Sequence, residues 1–258
     1  MTVEPEPSGQ YVQSLARGLS VIRAFGRDRP TMTLSEIAEV TGLTRATARR
    51  FLLTLGELGY VRADGRLFAL TPRVLELGFS YLSGLALPEV VAPHLESLSR
   101  QLNESASASV LDDGDIVYIA RAAARRIMTV SITVGTRFPA HATSMGRVLL
   151  AGLGDDELEA YLASIDRATL TKKTVVDPAA LRATLRQVRE QGWALVDQEL
   201  EPGLRSIAAP LRGPTGTVIA AINVSTSTST ASLDRISMEY RPALLATADA
   251  ITASLTHL

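Results

Sequence analysis

The chain of 258 residues contains no cysteine, which excludes disulfides, thiolate metal sites and cysteine nucleophiles and suits a reducing cytoplasm. Histidine is scarce as well: with only His94, His141 and His257, a zinc site would need distant carboxylates, and none is expected. Long apolar runs are missing. The longest uncharged stretch, Gly213 to Leu233, is broken by Pro214 and Gly216 and ends in alternating Ser and Thr, so it cannot span a membrane as a helix. The opening MTVEPEPSGQ has neither a basic start nor an apolar core, so no export signal is visible and a cytoplasmic location is expected. No G-x-S-x-G elbow, phosphate loop or dinucleotide glycine pattern occurs. Catalytic residues and cofactors are therefore not expected. What is present is ordinary globular composition, 46% hydrophobic and 21% charged, long enough for one large domain or two smaller ones.

The net charge of −1 hides an asymmetry. Residues 11–73 hold ten Arg against five Asp or Glu, whereas residues 74–258 hold 16 basic and 20 acidic residues. A small basic head on a larger acidic body suggests a polyanion-binding module joined to something else.

The head has helical periodicity from Ser14 to Phe25, with Leu15, Leu19, Ile22 and Phe25 on one face. Thr33-Leu34-Ser35-Glu36 is a capping box that opens a short second helix, ending before Thr41-Gly42. Thr44 can cap a third helix to about Leu58, with Ala48, Leu52 and Leu55 as its buried stripe. Then the period changes to two. Tyr60–Arg62 and Leu67–Leu70 read as strands joined around Asp64-Gly65, a strong hairpin signal. This order is that of a winged helix-turn-helix. Major-groove readout needs exposed residues at the start of the recognition helix, with cations flanking it on phosphates. Thr44, Arg45, Ala46 and Thr47 stand where bases would be met, and Arg49, Arg50, Arg62 and Arg66, with Thr33 at the second cap, where the backbone would be met. A solvated basic face is the bland alternative for the arginines alone.

We place the head at residues 11–72, a helical linker at 73–87 and the body at 88–258. In the body, strands are expected at Ser105–Leu111, Ile116–Ala120, Ile127–Val134, Trp193–Val196, Ser206–Pro210 and Thr217–Val224. Helices are expected at Thr143–Gly152, Asp155–Ser164, Pro178–Gln191 and from Leu233 onward. Strands mixed with helices in this way predict an α+β domain around a mainly antiparallel sheet.

The segment TLSEIAEVTGLTRATARRFLLTLGELGYV, the opening SLARGLSVIRAF, and RRIMTVS, PAHATSMGR and GWA with Asp197 and Glu199 in the body together resemble the IclR-type bacterial transcription regulators. The branch most resembled regulates β-ketoadipate-pathway genes, the protocatechuate and 4-hydroxybenzoate regulators. The resemblance implies a GAF-like effector domain holding a small organic acid, such as protocatechuate, β-ketoadipate or 4-hydroxybenzoate. It also implies a homodimer or homotetramer on a palindromic double-stranded operator, with no membrane partner. The effector-binding candidates are Ile132, His141, Thr143, Ser144, Met145, Gly146, Asp197, Asn223 and Ser225. Free amides at Ser144-Met145-Gly146 would receive a carboxylate at a helix N-terminus, and Asn223 and Ser225 would face it from one strand. His141 could touch ligand or serve as a hydrogen-bonded structural residue. Arg121, Arg125 and Arg126 could clamp an anion or simply be solvated strand-edge charges. The rival to a ligand-responsive regulator is a small-acid-binding protein or enzyme that uses its N-terminal helices only to dimerise.

Overall fold

The computed structural model describes residues 11–26, 28–77, 87–124, 132–164 and 167–255, and it divides between Gly84 and Leu85 into two compact units. The head comprises α1 (Gln13–Ala24), β1 (Thr31–Thr33), α2 (Leu34–Thr41), α3 (Arg45–Glu57), β2 (Val61–Asp64) and β3 (Leu67–Leu70). The capping box forms as expected: the Thr33 N–H donates to Glu36 Oε2 at 2.7 Å and the Glu36 N–H to Thr33 Oγ1 at 3.4 Å. Gly42, at φ +66°, ends α2 in the left-handed region, where a side chain would be strained. Thr44 then starts α3 by accepting the Thr47 N–H at 3.2 Å. Caps of this kind contribute about 0.5–2 kcal/mol each. Ile37, Ala48, Leu52 and Leu55 pack the helices on Val61 of the wing.

Two details of the head differ from expectation. The buried face of α1 carries Val21 and Phe25, while Leu15 and Leu19 are 63% and 47% exposed. The stripe is rotated, with Gly18 facing the Phe51 ring, where an added Cβ would be in ordinary contact at 3.8 Å. The wing also has a third strand, giving the order β1-β3-β2, with Thr31 paired to Ala69 and Thr33 to Leu67. Three residues are too few to show a period, and their partners are distant in sequence.

In the body, α4 (Leu87–Leu102) precedes β4 (Ser105–Asp112), β5 (Asp115–Ala122) and β6 (Arg137–Pro139). Then come α5 (Ser144–Ala151), α6 (Asp155–Ser164), α7 (Pro178–Gln191), β7 (Ala194–Asp197), β8 (Leu204–Arg212) and β9 (Val218–Ser227). A helical turn at Leu233–Arg235 and a π turn at Ile236–Tyr240 lead into α8 (Arg241–Leu255). Six strands form one sheet in the order β6-β5-β4-β9-β8-β7, with every neighbouring pair antiparallel. Of the strand expected at Ile127–Val134, residues 127–131 lie outside the described residues, as do Arg125 and Arg126. Residues 132–136 form a turn, closed by the Thr136 N–H on the Thr133 carbonyl. Of the expected linker, residues 78–86 lie outside the described residues.

The pleat decides what each face of the sheet holds. Ala106, Ala108, Ile222 and Val224 are cross-strand partners on one face, which α4 and α8 cover. The opposite face, under α5, carries Ser105, Ser107, Ser109, Asn223 and Ser225, also matched in register. This second face is polar yet buried. Ser109 donates to Met145 Sδ at 3.3 Å, and Ser144 donates to Ser206 Oγ at 2.8 Å, which ties α5 down on the sheet. Behind α5, Leu150, Leu181, Leu185 and Val188 complete an apolar core.

Candidate functional site

The first site is the exposed start of α3 with the wing. Thr44, Arg45, Ala46, Arg49 and Arg50 are exposed on one side of the helix whose other side buries Ala48 and Leu52. Arg62 on β2 and Arg66 in the hairpin are exposed as well. None of these five arginines has a side-chain hydrogen bond or ion pair among the described residues. Guanidinium groups so placed are open to phosphates and to guanine edges. Thr47 is half-buried, with its hydroxyl 2.9 Å from that of Thr44. Thr33 departs from expectation. Its hydroxyl accepts the Glu36 amide and donates to Glu36 Oε2 at 2.8 Å, so its one proton is used within the cap. The Thr33 N–H, and after it the Thr33 hydroxyl, hold the exposed Glu36 carboxyl below the usual range by donating to it.

The second site is a cavity of about 360 Å³ in the body, between the polar face of the sheet and the start of α5. Ile132, Phe138, Leu170, Val196, Leu200 and Leu204 make most of its wall apolar. Thr143, Ser206, Asn223 and Ser225 gather on one side, with Tyr118 and Glu201 also on the wall. Phe138 meets the Tyr118 ring edge to face, with centroids 6.0 Å apart. Burial, partly offset by Arg121, pushes the Tyr118 phenol up to about 12, so it remains a neutral hydroxyl. Asn223 Nδ2 donates to Ser225 Oγ at 3.0 Å, and Asn223 Oδ1 is buried without a partner.

The rim is held by a buried ion pair. Arg147 Nη2 donates to Glu199 Oε2 at 2.5 Å and Arg147 Nε to the His141 carbonyl at 3.1 Å. Glu199 Oε2 also accepts the Val175 N–H at 3.0 Å, and Thr174 Oγ1 donates to the Glu199 carbonyl at 2.7 Å. One charged pair thus joins α5 to two loops, and the second of them brings Leu200 and Glu201 to the cavity.

The structure therefore brings Ile132, Thr143, Asn223 and Ser225 together around one cavity and takes other candidates elsewhere. Ser144 stands one hydrogen bond behind that wall, through Ser206. Met145 is fully buried in the core beneath α5, where the period of a helix turns it away from residue 143. Gly146 does not meet the cavity either: a Cβ there would lie 2.1 Å from the Ala140 carbonyl oxygen, and its N–H already caps onto Thr143 Oγ1 at 3.1 Å. It is a glycine because backbone packs on backbone. His141 is 1% exposed and holds the Ala168 carbonyl at 3.2 Å through Nε2. Burial lowers its pKa, which keeps the ring neutral. It fastens a loop and does not line the cavity. Asp197 is engaged by Lys173 at 2.7 Å and Arg205 at 2.6 Å, so its carboxylate is already neutralised outside the cavity. Burial pushes that carboxyl up, but these bonds outweigh it and hold it at about 2. Arg121 is half-buried and donates to Ser105 at 3.4 Å; Arg125 and Arg126 lie outside the described residues.

Sequence reasoning missed Tyr118, Phe138, Leu170, Leu200, Leu204 and Ser206 on the wall. Ser206 carried a usable signal, since it alternates with Ile207 along β8 and so shares a face with Ala208, opposite Ser225. Leu170 and Leu200 carried none, because their loops have no period.

An exposed basic helix-turn-helix on one unit and an enclosed, mostly apolar cavity with a polar wall in the other define a class: DNA-binding regulators that respond to a small ligand. Comparison with known proteins narrows the class. Residues 14–65 match the IclR helix-turn-helix domain, and residues 79–253 match the model for the bacterial transcriptional regulator IclR C-terminal domain. The chain belongs to the IclR family of transcriptional regulators, as its motifs led us to expect. It is 46% identical over 237 residues to the Pca regulon regulatory protein of Pseudomonas putida, across 92% of this chain and 81% of that one. It is 57% identical to a transcriptional regulator of known structure from Rhodococcus sp. RHA1, with a TM-score of 0.87 over 96% of this chain and 99% of that one. An IclR homologue from Microbacterium hydrocarbonoxydans, complexed with 4-hydroxybenzoate, is 28% identical with a TM-score of 0.84, over 95% and 100% of the two chains. Among the described residues no helix is long and apolar enough to cross a membrane, and no cluster of His or carboxylates is arranged to hold a metal.

Proposed function

We propose that this regulator controls genes of aromatic-acid catabolism, binding a palindromic operator as a homodimer or homotetramer and changing its hold on that operator when a small organic acid enters the body cavity. Arg45 and Thr44 at the start of α3 read base edges, while Arg49, Arg50, Arg62 and Arg66 sit on phosphates. The observation that carries the DNA reading is the set of five exposed arginines whose side chains have no partner among the described residues. Two half-sites read by one symmetric assembly account for the palindrome.

In the cavity, the acid's carboxylate lies at the Thr143–Ser144 end of α5, where the helix dipole and the remaining free amides favour an anion. Its apolar part lies against Phe138, Leu170 and Leu204. The wall hydroxyls bond to one another and to an amide rather than to a base: Ser206 accepts from Ser144, and Ser225 from Asn223. That arrangement favours binding over catalysis. The similarity to the Pca regulon regulatory protein and to the 4-hydroxybenzoate complex supports the choice of aromatic acids.

The test is fluorescence anisotropy with the promoter DNA next to this gene, at two salt concentrations, with and without 4-hydroxybenzoate, protocatechuate and β-ketoadipate. The expected result is salt-sensitive, sequence-preferring binding whose affinity or stoichiometry one of the acids shifts. Binding that ignores both DNA sequence and every acid would overturn the reading.

A further inference from the structure

We propose that Asn223 reads a hydroxyl on the bound acid, so that the cavity selects a singly charged hydroxylated aromatic acid over unhydroxylated or doubly charged ones. This rests on the reading of the cavity as the acid site. Asn223 is 3% exposed and lines the cavity from β9. Its amide nitrogen donates to Ser225 Oγ at 3.0 Å, while Oδ1 is buried with no hydrogen-bond partner among the described residues. Three hydroxyls of this wall already accept a hydrogen bond, and Tyr118 adds a neutral phenol. Thr143 Oγ1 accepts the Gly146 N–H, Ser206 accepts from Ser144, and Ser225 accepts from Asn223 itself.

An amide oxygen can only accept. A buried acceptor left empty carries its full desolvation cost, so a ligand that supplies a donor there gains over one that does not. At neutral pH neither a carboxylate nor a ketone has a proton to offer; a hydroxyl does. Charge points the same way. Among the described residues the cavity wall includes no Lys or Arg and does include Glu201. One carboxylate has the positive end of α5 to face, but a second would be buried beside another negative group with no counter-charge among the described lining residues. A keto diacid such as β-ketoadipate fails on both counts. A hydroxybenzoate satisfies both, with its ring between Phe138 and Leu204.

The experiment is calorimetric titration of the full-length protein with benzoate, 3-hydroxybenzoate, 4-hydroxybenzoate, protocatechuate and β-ketoadipate, repeated on Asn223→Leu after circular dichroism has shown it folded. At least one hydroxylated ring should bind the wild type tenfold or more tighter than benzoate, and β-ketoadipate should bind more weakly than that acid. In Asn223→Leu the ratio of hydroxylated acid to benzoate should fall to within twofold of one. Equal wild-type affinity for benzoate would mean that solvent rather than the effector satisfies Asn223, and the proposal would fail while the cavity reading stood. Retention of the full ratio in Asn223→Leu, or tighter binding of β-ketoadipate, would overturn it likewise. Binding of none of the acids would remove the cavity reading itself. Should Asn223→Leu not fold, the wild-type ranking of the five acids decides the matter alone.

Discussion

In the head, the side chains of Arg45, Arg49, Arg50, Arg62 and Arg66 stand in solvent and make no bond among the described residues, whereas in the body Ser206, Asn223 and Ser225 are no more than 8% exposed and sit on the sheet itself. The head keeps stability and recognition on opposite sides of one helix: Ala48, Leu52 and Leu55 hold α3 down while its other side stays free. The body cannot separate them, because a cavity wall is also a core face. Every polar group there must be paired, or left open for a ligand, at a cost the surrounding apolar packing offsets. Substitutions at recognition residues should therefore behave differently in the two units, binding without stability in the head and both together in the body.

The sharpest way to break that comparison is Arg147→Met. It leaves the Glu199 carboxylate buried without its cation, at a cost of about 3–5 kcal/mol. Thermal melting should show the body destabilised, and the loops at Val175 and Leu200 should lose hydrogen-exchange protection. An unchanged melting temperature would show that the pair holds neither loop.

Next in size is Gly146→Ala, where the new Cβ meets the Ala140 carbonyl. Overpacking against backbone should cost about 1–3 kcal/mol or more, read in urea unfolding. Improved or unchanged stability would mean that α5 can move off the turn before it.

In the head, Arg45→Ala should leave the melting curve unchanged while weakening true-operator binding by about 1–3 kcal/mol, with a much smaller loss on random DNA. Equal losses on both DNAs would move Arg45 to the phosphate class; a large loss of stability would break the separation claimed for the head.

The smallest effect is expected at Asp197. Its folded pKa of about 2 lies below the ordinary 3.8, so its contribution is complete above the unfolded value and is lost as pH falls from about 3.8 through about 2. Being part-exposed, it is worth about 1 kcal/mol after solvent screening. Asp197→Asn should thus be slightly less stable than wild type at pH 7, with the gap closing in strong acid. A gap that persists there would place the effect in packing rather than in charge.

Much of the head was legible because its signals are local. A cap lies three residues from its partner, as Thr33 does from Glu36 and Thr44 from Thr47, and Asp64-Gly65 announces its own hairpin. The rotation of α1 was not, since Leu15 and Val21 are equally apolar and only the packing of the head decides which face is covered. In the body most strands and helices were legible from their periods, and the alternation of Asn223 and Ser225 rightly placed both on one face. Met145 and Gly146 were misplaced because a helix N-terminus looks the same in sequence whether its first turn meets a ligand or the backbone of Ala140.

The order of elements, the basic head and the family motifs are properties of the sequence by itself, because capping, hairpin chemistry and periodicity act over a few residues. Which hydroxyls share a wall, which carboxylate has its charge balanced by a neighbour and which acceptor is left empty were decided only in three dimensions. Ser206 meets Ser144 across 62 positions and Arg147 meets Glu199 across 52. Pairings so distant follow from strand register and loop closure, which depend on the whole packed domain and leave no periodic trace in the chain.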